Sequence, residues 1–353
     1  MDYKNKLKEI IDVVTKQRGS DLHLAEGRKP TIRVDGELLP LLNMESSTKE
    51  DMKGFLDVMV LGDLKSIFDV NKELDFAYQH DDGNRFRGNA FIQQGQVGVV
   101  LRLIPNEIKT LEDLGLPSVL ETFARKKQGF FLVVGPVGQG KTTTLAAMVD
   151  LINRERSDHI ITIENPIEYV YKPQKSIIDQ REVRIDTKDF YTALTGTFRQ
   201  DVDVILVGEM RGKDTISAAV TAAETGHLVL STLHTNNAAQ TIDRIVDSFP
   251  AEQQDQIRIQ LASSLTAIFS QRLIPRISGG LIPAYELLIN TNAVSNLIRD
   301  QRTHEIDTII ETGSEHGMID MNRNLADLVR KGEITAENAF LHSVKPNVLE
   351  KLI

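Results

Sequence analysis

The 353-residue sequence contains no cysteine and no tryptophan. Without thiols there is no disulfide framework and no thiolate metal centre, and the composition fits a reducing compartment. Aromatic residues make up only 5% of the chain. They do not interleave with lysine and arginine into the stacking patch that single-stranded nucleic acid needs. Positive charge is not in surplus either: 41 basic residues stand against 50 acidic ones, a formal charge of −9, so no nucleic-acid partner is expected. No apolar run approaches the roughly 18 residues of a membrane span. The charged start, MDYKNKLKEI, reads as no secretory signal. Internal repeats and low-complexity segments are missing as well.

What remains is a globular chain, 41% hydrophobic and long enough for two domains. Leu7, Ile10, Ile11 and Val14 share one face of a helix predicted over 5–18. Strand patterns follow at 20–24, 31–34 and 37–39, the last two joined by Asp35-Gly36, a hairpin signal. A helical stretch at about 48–68 precedes strands at 74–78, 85–92 and 97–104. These make an α+β domain over 1–104, with a linker at 105–117 that begins Pro105-Asn106. His23 has no companion at metal-ligand spacing and reads as a structural histidine. Beyond the linker, strands and helices alternate as in a parallel sheet. Strands are expected at 130–134, 159–164, 202–207 and 227–233, and helices at about 188–199, 213–224, 236–247 and 251–270. Short strand runs at 272–274 and 281–288 end a domain spanning 118–288. A tail of short helices, 289–353, carries N-cap candidates Thr291 and Thr335 and stop candidates Gly313 and Gly332.

The strongest signal is Phe130 to Thr144. An apolar strand, Phe130-Phe131-Leu132-Val133-Val134, enters Gly135-Pro136-Val137-Gly138-Gln139-Gly140-Lys141-Thr142, which satisfies G-x-x-x-x-G-K-[ST] at every fixed position. A helix opening, Thr143-Thr144-Leu145, follows. Glycines let backbone N–H groups close around phosphate oxygens. The helix aims its positive end at the same anion. Lys141 then reaches the β and γ phosphates and the Thr142 hydroxyl ligates Mg²⁺. Residues 135–143 are therefore the expected binding segment for ATP.

Three later strands end in polar groups, where open α/β sheets collect ligands. These are Glu164, Glu209 and His234, with His227 at the start of the last strand. Glu209 suits the Mg²⁺ shell, Glu164 the positioning of the attacking water, and His234 the sensing of the γ-phosphate. The positive charge that hydrolysis also needs has candidates in Arg85 and Arg87, on one face of a strand, and in Arg102 on the next.

With those residues named, the chain resembles the secretion ATPases of type II secretion and type IV pili. The matching stretches are Ser20-Asp21-Leu22-His23-Leu24, Arg85-Phe86-Arg87 with Asn89-Ala90-Phe91, the phosphate loop, Ile163-Glu164-Asn165-Pro166-Ile167-Glu168, Leu206-Val207-Gly208-Glu209-Met210-Arg211, and Thr225-Gly226-His227 through His234-Thr235. Ala293-Val294-Ser295-Asn296-Leu297-Ile298-Arg299 is similar to a C-terminal motif of the pilus-retraction branch, represented here by Ala293, Asn296, Leu297, Ile298 and Arg299. The short N-terminal part and the absence of a tetracysteine insert point to the same branch. The resemblance implies an α/β fold: a RecA-like P-loop NTPase core, an N-terminal PAS-like α+β domain and a helical C-terminal tail. It implies a homohexamer that hydrolyses ATP with Mg²⁺, with Glu164, Glu209, His227 and His234 catalytic and Arg85, Arg87 and Arg102 reaching the nucleotide. Its partners would be a PilC-like inner-membrane platform protein and paralogous pilus ATPases. Its place would be the cytoplasm, docked at the inner-membrane base of the pilus machine.

Three positions and the wording of the loop depart from the family pattern. Asn165 stands where an aspartate is usual, Gly196 where the first of two arginines is usual (Arg199 keeps the second), and Val202 where a proline is usual. The loop itself reads Val137-Gly138-Gln139. Alternatives to a retraction motor are an assembly or secretion ATPase, a weakly hydrolysing accessory subunit suggested by Asn165 and Gly196, and a DNA translocase, which the acidic balance opposes.

Overall fold

Leu7, Ile10, Ile11 and Val14 are all buried along one side of helix α1 (Tyr3–Lys16), as their spacing requires. In this computed structural model, residues 2–34, 36–104, 107–210 and 212–353 are described. The chain forms two compact units, one of Met1–Glu107 with Asn165–Val170, the other of Ile108–Glu164 with Tyr171–Ile353.

In the first unit, α1 is followed by β1 (Asp21–Ala25), β2 (Thr31–Val34) and β3 (Glu37–Pro40). Next come α2 (Lys49–Met59), α3 (Asp63–Asn71), β4 (Glu73–Gln79), β5 (Arg85–Gln93) and β6 (Gln96–Ile104). The six strands are antiparallel neighbours in the order β3-β2-β1-β6-β5-β4. The single helical stretch expected over 48–68 is two helices. Thr48 and Asp51 close a capping box at the start of α2. Val60 turns extended and ends α2, and Gly62, at a φ of 61° that glycine adopts readily, precedes α3. The core gathers Leu22, Ile32, Phe55, Phe76, Phe86 and Leu101, all fully buried. The Phe76 ring lies over Gly88, its partner on the next strand, so close that a Cβ there would sit 2.3 Å from the ring. Asp35 of the expected Asp-Gly turn and Pro105-Asn106 of the expected linker lie outside the described residues, while Gly36 has the positive φ of such a turn. His23 is half-buried on β1, its Nε2 has no hydrogen-bond partner, and burial lowers its pKa.

The second unit begins with α4 (Val119–Ala124), β7 (Gly129–Val134), α5 (Lys141–Glu155), β8 (His159–Glu164) and β9 (Ile177–Glu182). It continues through α6 (Phe190–Thr197), β10 (Val204–Val207), α7 (Lys213–Glu224), β11 (Leu228–Leu233), α8 (Ala238–Val246), α9 (Ala251–Ser264), β12 (Leu265–Pro275) and β13 (Leu281–Ile289). The sheet order is β13-β12-β7-β11-β10-β8-β9; every neighbouring pair is parallel except β12 with β13. β7, β10 and β11 are buried at every position and apolar except for Ser231 and Thr232 on β11, as strands covered on both faces must be.

Two expectations fail here. β9 reads Ile-Ile-Asp-Gln-Arg-Glu, a mixed edge strand without a periodic signal. The helix expected over 251–270 stops at Ser264, and β12 takes residues 265–275 because it pairs with β7 on one side and β13 on the other. Tertiary pairing overrides a run whose apolar spacing suits either form. The tail consists of α10 (Asn292–Arg299), α11 (Ile306–Thr312), α12 (Met321–Arg330), α13 (Ala336–His342) and α14 (Pro346–Leu349). Thr291 and Thr335 do cap α10 and α13. Ile274, Ala284, Leu325, Ala326 and Ile334 form a small core that joins this tail to the sheet.

Candidate active site

β7 delivers the chain to Gly135, whose φ is 147° and where a Cβ would lie 2.4 Å from the Gln271 carbonyl oxygen. Only glycine allows that approach. Gly138 and Gly140 also have positive φ, 79° and 77°. Helix α5 starts at Lys141, directly after the loop and without a side-chain cap, so its positive end adjoins the loop. Lys141 is buried. Its Nζ donates to the carbonyls of Gly135 and Pro136, both at 2.8 Å, and lies 3.3 Å from His234 Nδ1. Thr142 and Thr143 are half-buried on the first turn, and Val137 is 80% exposed at the loop tip. A fixed ammonium, a helix N-terminus and glycine dihedrals make an anion cradle.

Gln271 on β12 braces that cradle. Its Oε1 accepts from Thr144 Oγ1 at 2.6 Å and its Nε2 donates to the Gln139 carbonyl at 2.8 Å. The Gln139 side chain in turn accepts from Leu273 N at 2.7 Å. Sequence reasoning missed Gln271 because it assigned the position to no strand. A polar residue inside an apolar run was the available signal.

Glu209 follows β10, and His234 follows β11, the strand between β10 and β7. His234 Nε2 is 4.0 Å from Glu209 Oε2, so the imidazole stands between the lysine and the carboxylate. Thr232 Oγ1 donates to the Gly208 carbonyl at 2.7 Å, fixing the backbone from which Glu209 projects. Glu164 ends β8 and is only 4% exposed. Its Oε1 accepts from Thr162 Oγ1 at 2.6 Å and from Gln180 Nε2 at 3.4 Å. Neither partner was foreseen, since Gln180 belongs to the unrecognised edge strand. His227 lies at the other end of β11 from His234. Its Nδ1 is 2.9 Å from the Ala222 carbonyl and its ring meets Phe198 edge-on. The structure does not bring it to the phosphate loop of its own unit.

The three arginines belong to the first unit. Arg85 Nε donates to the Ile167 carbonyl at 3.2 Å, and Arg87 pairs with Glu168 at 3.0 Å. Arg102, opposite Arg87 across the β5–β6 register, pairs with the buried Asp21 at 2.8 Å. On α10, Val294, Leu297 and Ile298 are buried while Ala293, Asn296 and Arg299 form an exposed stripe, with Arg299 donating to Asn296 Oδ1 at 2.7 Å. Arg199 is exposed, and Arg211 lies outside the described residues.

A phosphate loop at the centre of a parallel sheet, with acidic and imidazole groups ending neighbouring strands, defines a P-loop ATPase with a RecA-like core. The chain belongs to the type II/IV secretion system protein family, whose model matches residues 3–281. Pseudomonas aeruginosa PilT, a type IV pilus retraction ATPase, is 44% identical over 331 residues, 94% of this chain and 96% of its own. A Neisseria gonorrhoeae twitching motility protein is 43% identical over 311 residues, covering 88% of this chain and 83% of its own. The crystal structure of the pilus retraction motor PilT with bound ADP superposes with a TM-score of 0.90, at 44% identity, over 97% of this chain and 98% of that one. This is a PilT-type, nucleotide-binding ATPase, with a PAS-like α+β domain ahead of the RecA-like core and a helical C-terminal tail. Among the described residues no helix is long and apolar enough to cross a membrane.

Proposed function

We propose that the chain is a homohexameric motor that hydrolyses ATP to power type IV pilus retraction, the depolymerisation of pilin behind twitching motility. One observation carries the reading: Lys141, His234 and Glu209 are linked side by side beneath a glycine loop, in a chain similar along its full length to a retraction motor. Lys141 binds the β and γ phosphates. His234, in reach of Lys141 and Glu209, registers whether a γ-phosphate is present. Glu164, buried and oriented by Thr162 and Gln180, positions the attacking water. The Thr142 hydroxyl and the Glu209 carboxylate are the hard oxygen donors that Mg²⁺ prefers, and the ion would neutralise charge on the phosphates. Arg85, Arg87 and Arg102 supply the positive charge of the first domain, and His227 supports the start of β11.

On this reading residues 1–104 are the PAS-like domain, 105–117 a linker, 118–288 the ATPase domain and 289–353 the C-terminal subdomain. The partners are a PilC-like inner-membrane platform protein and paralogous pilus ATPases. The motor docks from the cytoplasm at the inner-membrane base of the machine.

Steady-state ATPase assays test the reading. Wild type is expected to turn over ATP with Mg²⁺, while Lys141→Ala and Glu209→Gln each lose at least about 100-fold in kcat/KM, the scale of removing one preorganised charge. Equal inactivity of all three at high protein concentration would sink it. A deletion strain should keep its pili and lose their retraction; loss of pili instead would mark an assembly ATPase.

A further inference from the structure

The turn after β4 reads His80-Asp81-Asp82-Gly83. It is closed by bonds from Gly83 N to His80 O at 3.0 Å and from His80 N to Asn84 O at 2.8 Å. It is tied to α1 by Lys4, which pairs with Asp81 at 3.1 Å. Where the turn meets that helix, a ring nitrogen of His80 and one carboxylate oxygen each of Asp12 and Asp82 lie within 4.8 Å of one another.

His80 itself gives an independent pointer. It is only 4% exposed, its Nδ1 is 3.4 Å from the Tyr78 hydroxyl, and its Nε2 is buried without a hydrogen-bond partner. An imidazole nitrogen hidden from water and left without a partner is a cost that core histidines normally avoid. A cation beside it removes that cost. Both oxygens of Asp82 accept from Asn84, at 2.8 Å from its N–H and 2.7 Å from its side-chain amide. That holds the carboxylate in place and leaves lone pairs for a ligand.

We propose that Asp12, His80 and Asp82 form a binding site for a first-row divalent transition ion of the zinc class, with His80 Nε2 as the nitrogen ligand. One imidazole and two carboxylates suit zinc, cobalt or nickel; magnesium and calcium take oxygen alone. The Tyr78 hydroxyl receives the Nδ1 proton of His80, which fixes the tautomer that leaves Nε2 its lone pair. Ligand atoms around bound zinc stand about 3.3 Å apart, so binding draws the exposed Asp82 toward α1. The turn runs directly into β5, whose first residues carry Arg85 and Arg87. An occupied site therefore stiffens the root of the strand that bears them.

The full-length chain, held in excess Mg²⁺ to satisfy the nucleotide site, is titrated with Co²⁺ and followed by its visible absorption. One saturable Co²⁺ per chain is expected, displaced by Zn²⁺ and unaffected by further Mg²⁺. Asp12→Asn and His80→Gln should each weaken binding by more than about 100-fold, beyond the roughly 10–100-fold that loss of an outer-shell partner costs. Asp12→Asn sits on the half-buried face of α1 and decides the matter if His80→Gln does not fold. Absence of saturable Co²⁺ binding, or binding undiminished in Asp12→Asn, would overturn the site.

Discussion

Glu286 holds its proton to a higher pH than most carboxyls do. It sits on β13 and is almost wholly buried; desolvation raises its pKa to about 7 from an ordinary 4.5, although Ala238 N donates to it at 2.9 Å. The folded chain therefore retains this proton while the unfolded chain releases it. Stability from this group is full below about pH 4.5 and falls as pH rises to about 7, by about 3 kcal/mol in all. Glu286→Gln keeps an oxygen acceptor for Ala238 and removes the charge. Thermal melts should show the variant level with wild type at pH 5 and more stable at pH 8; parallel pH profiles would refute the assignment. A buried acid of this kind could not be read from the sequence, because its environment comes from the start of α8 and from Ser270 on β12. Lys141, Glu209 and His234 could, the first through the glycine-loop motif and the other two through their places just past apolar runs. Thr162, Gln180 and Gln271 could not, because each matters only through a neighbour on another strand.

At the level of elements, β12 is where sequence reading and structure part. The sequence pattern gives 265–270 to a helix and 272–274 to a short strand and leaves Gln271 in neither, yet this strand is what holds the phosphate loop. Gln271→Leu would leave the Thr144 hydroxyl and the Gln139 carbonyl without the partners they have now. Buried groups deprived in this way cost about 1–3 kcal/mol. The expected outcome is a lower melting temperature and a KM for ATP raised roughly tenfold, with kcat changed less. An unchanged KM would mean that the loop holds its shape without β12. Helix α1 and the start of α2 show the opposite case. Thr48, Asp51 and the apolar spacing of α1 are local signals, and their elements formed where the signals lie.

On the proposed reading, ATP hydrolysis and pilus retraction draw on different residues of this chain. The exposed stripe of Ala293, Asn296 and Arg299 lies on α10, whose buried face carries Val294, Leu297 and Ile298. Arg299→Ala removes only an exposed side chain and its bond to Asn296. Purified Arg299→Ala should therefore hydrolyse ATP at the wild-type rate and melt within about 1 °C of it, as exposed substitutions do, while cells carrying it fail to retract pili. A large drop in melting temperature would make Arg299 a structural residue instead. The division of the chain was only partly legible. Nothing in Asn165-Pro166-Ile167-Glu168-Tyr169-Val170 distinguishes it from any loop after a strand, so its place in the first unit was not legible.

Those six residues belong to the first unit although the chain on both sides belongs to the second. Arg85 and Arg87 bond to them, through Ile167 and Glu168. Anyone exchanging parts between relatives should therefore treat the N-terminal unit as two pieces of sequence. A chimera that grafts residues 1–107 alone would set the donor's arginines against the recipient's 165–170 and mix two lineages at that contact. Grafting both pieces together carries the pairing over intact.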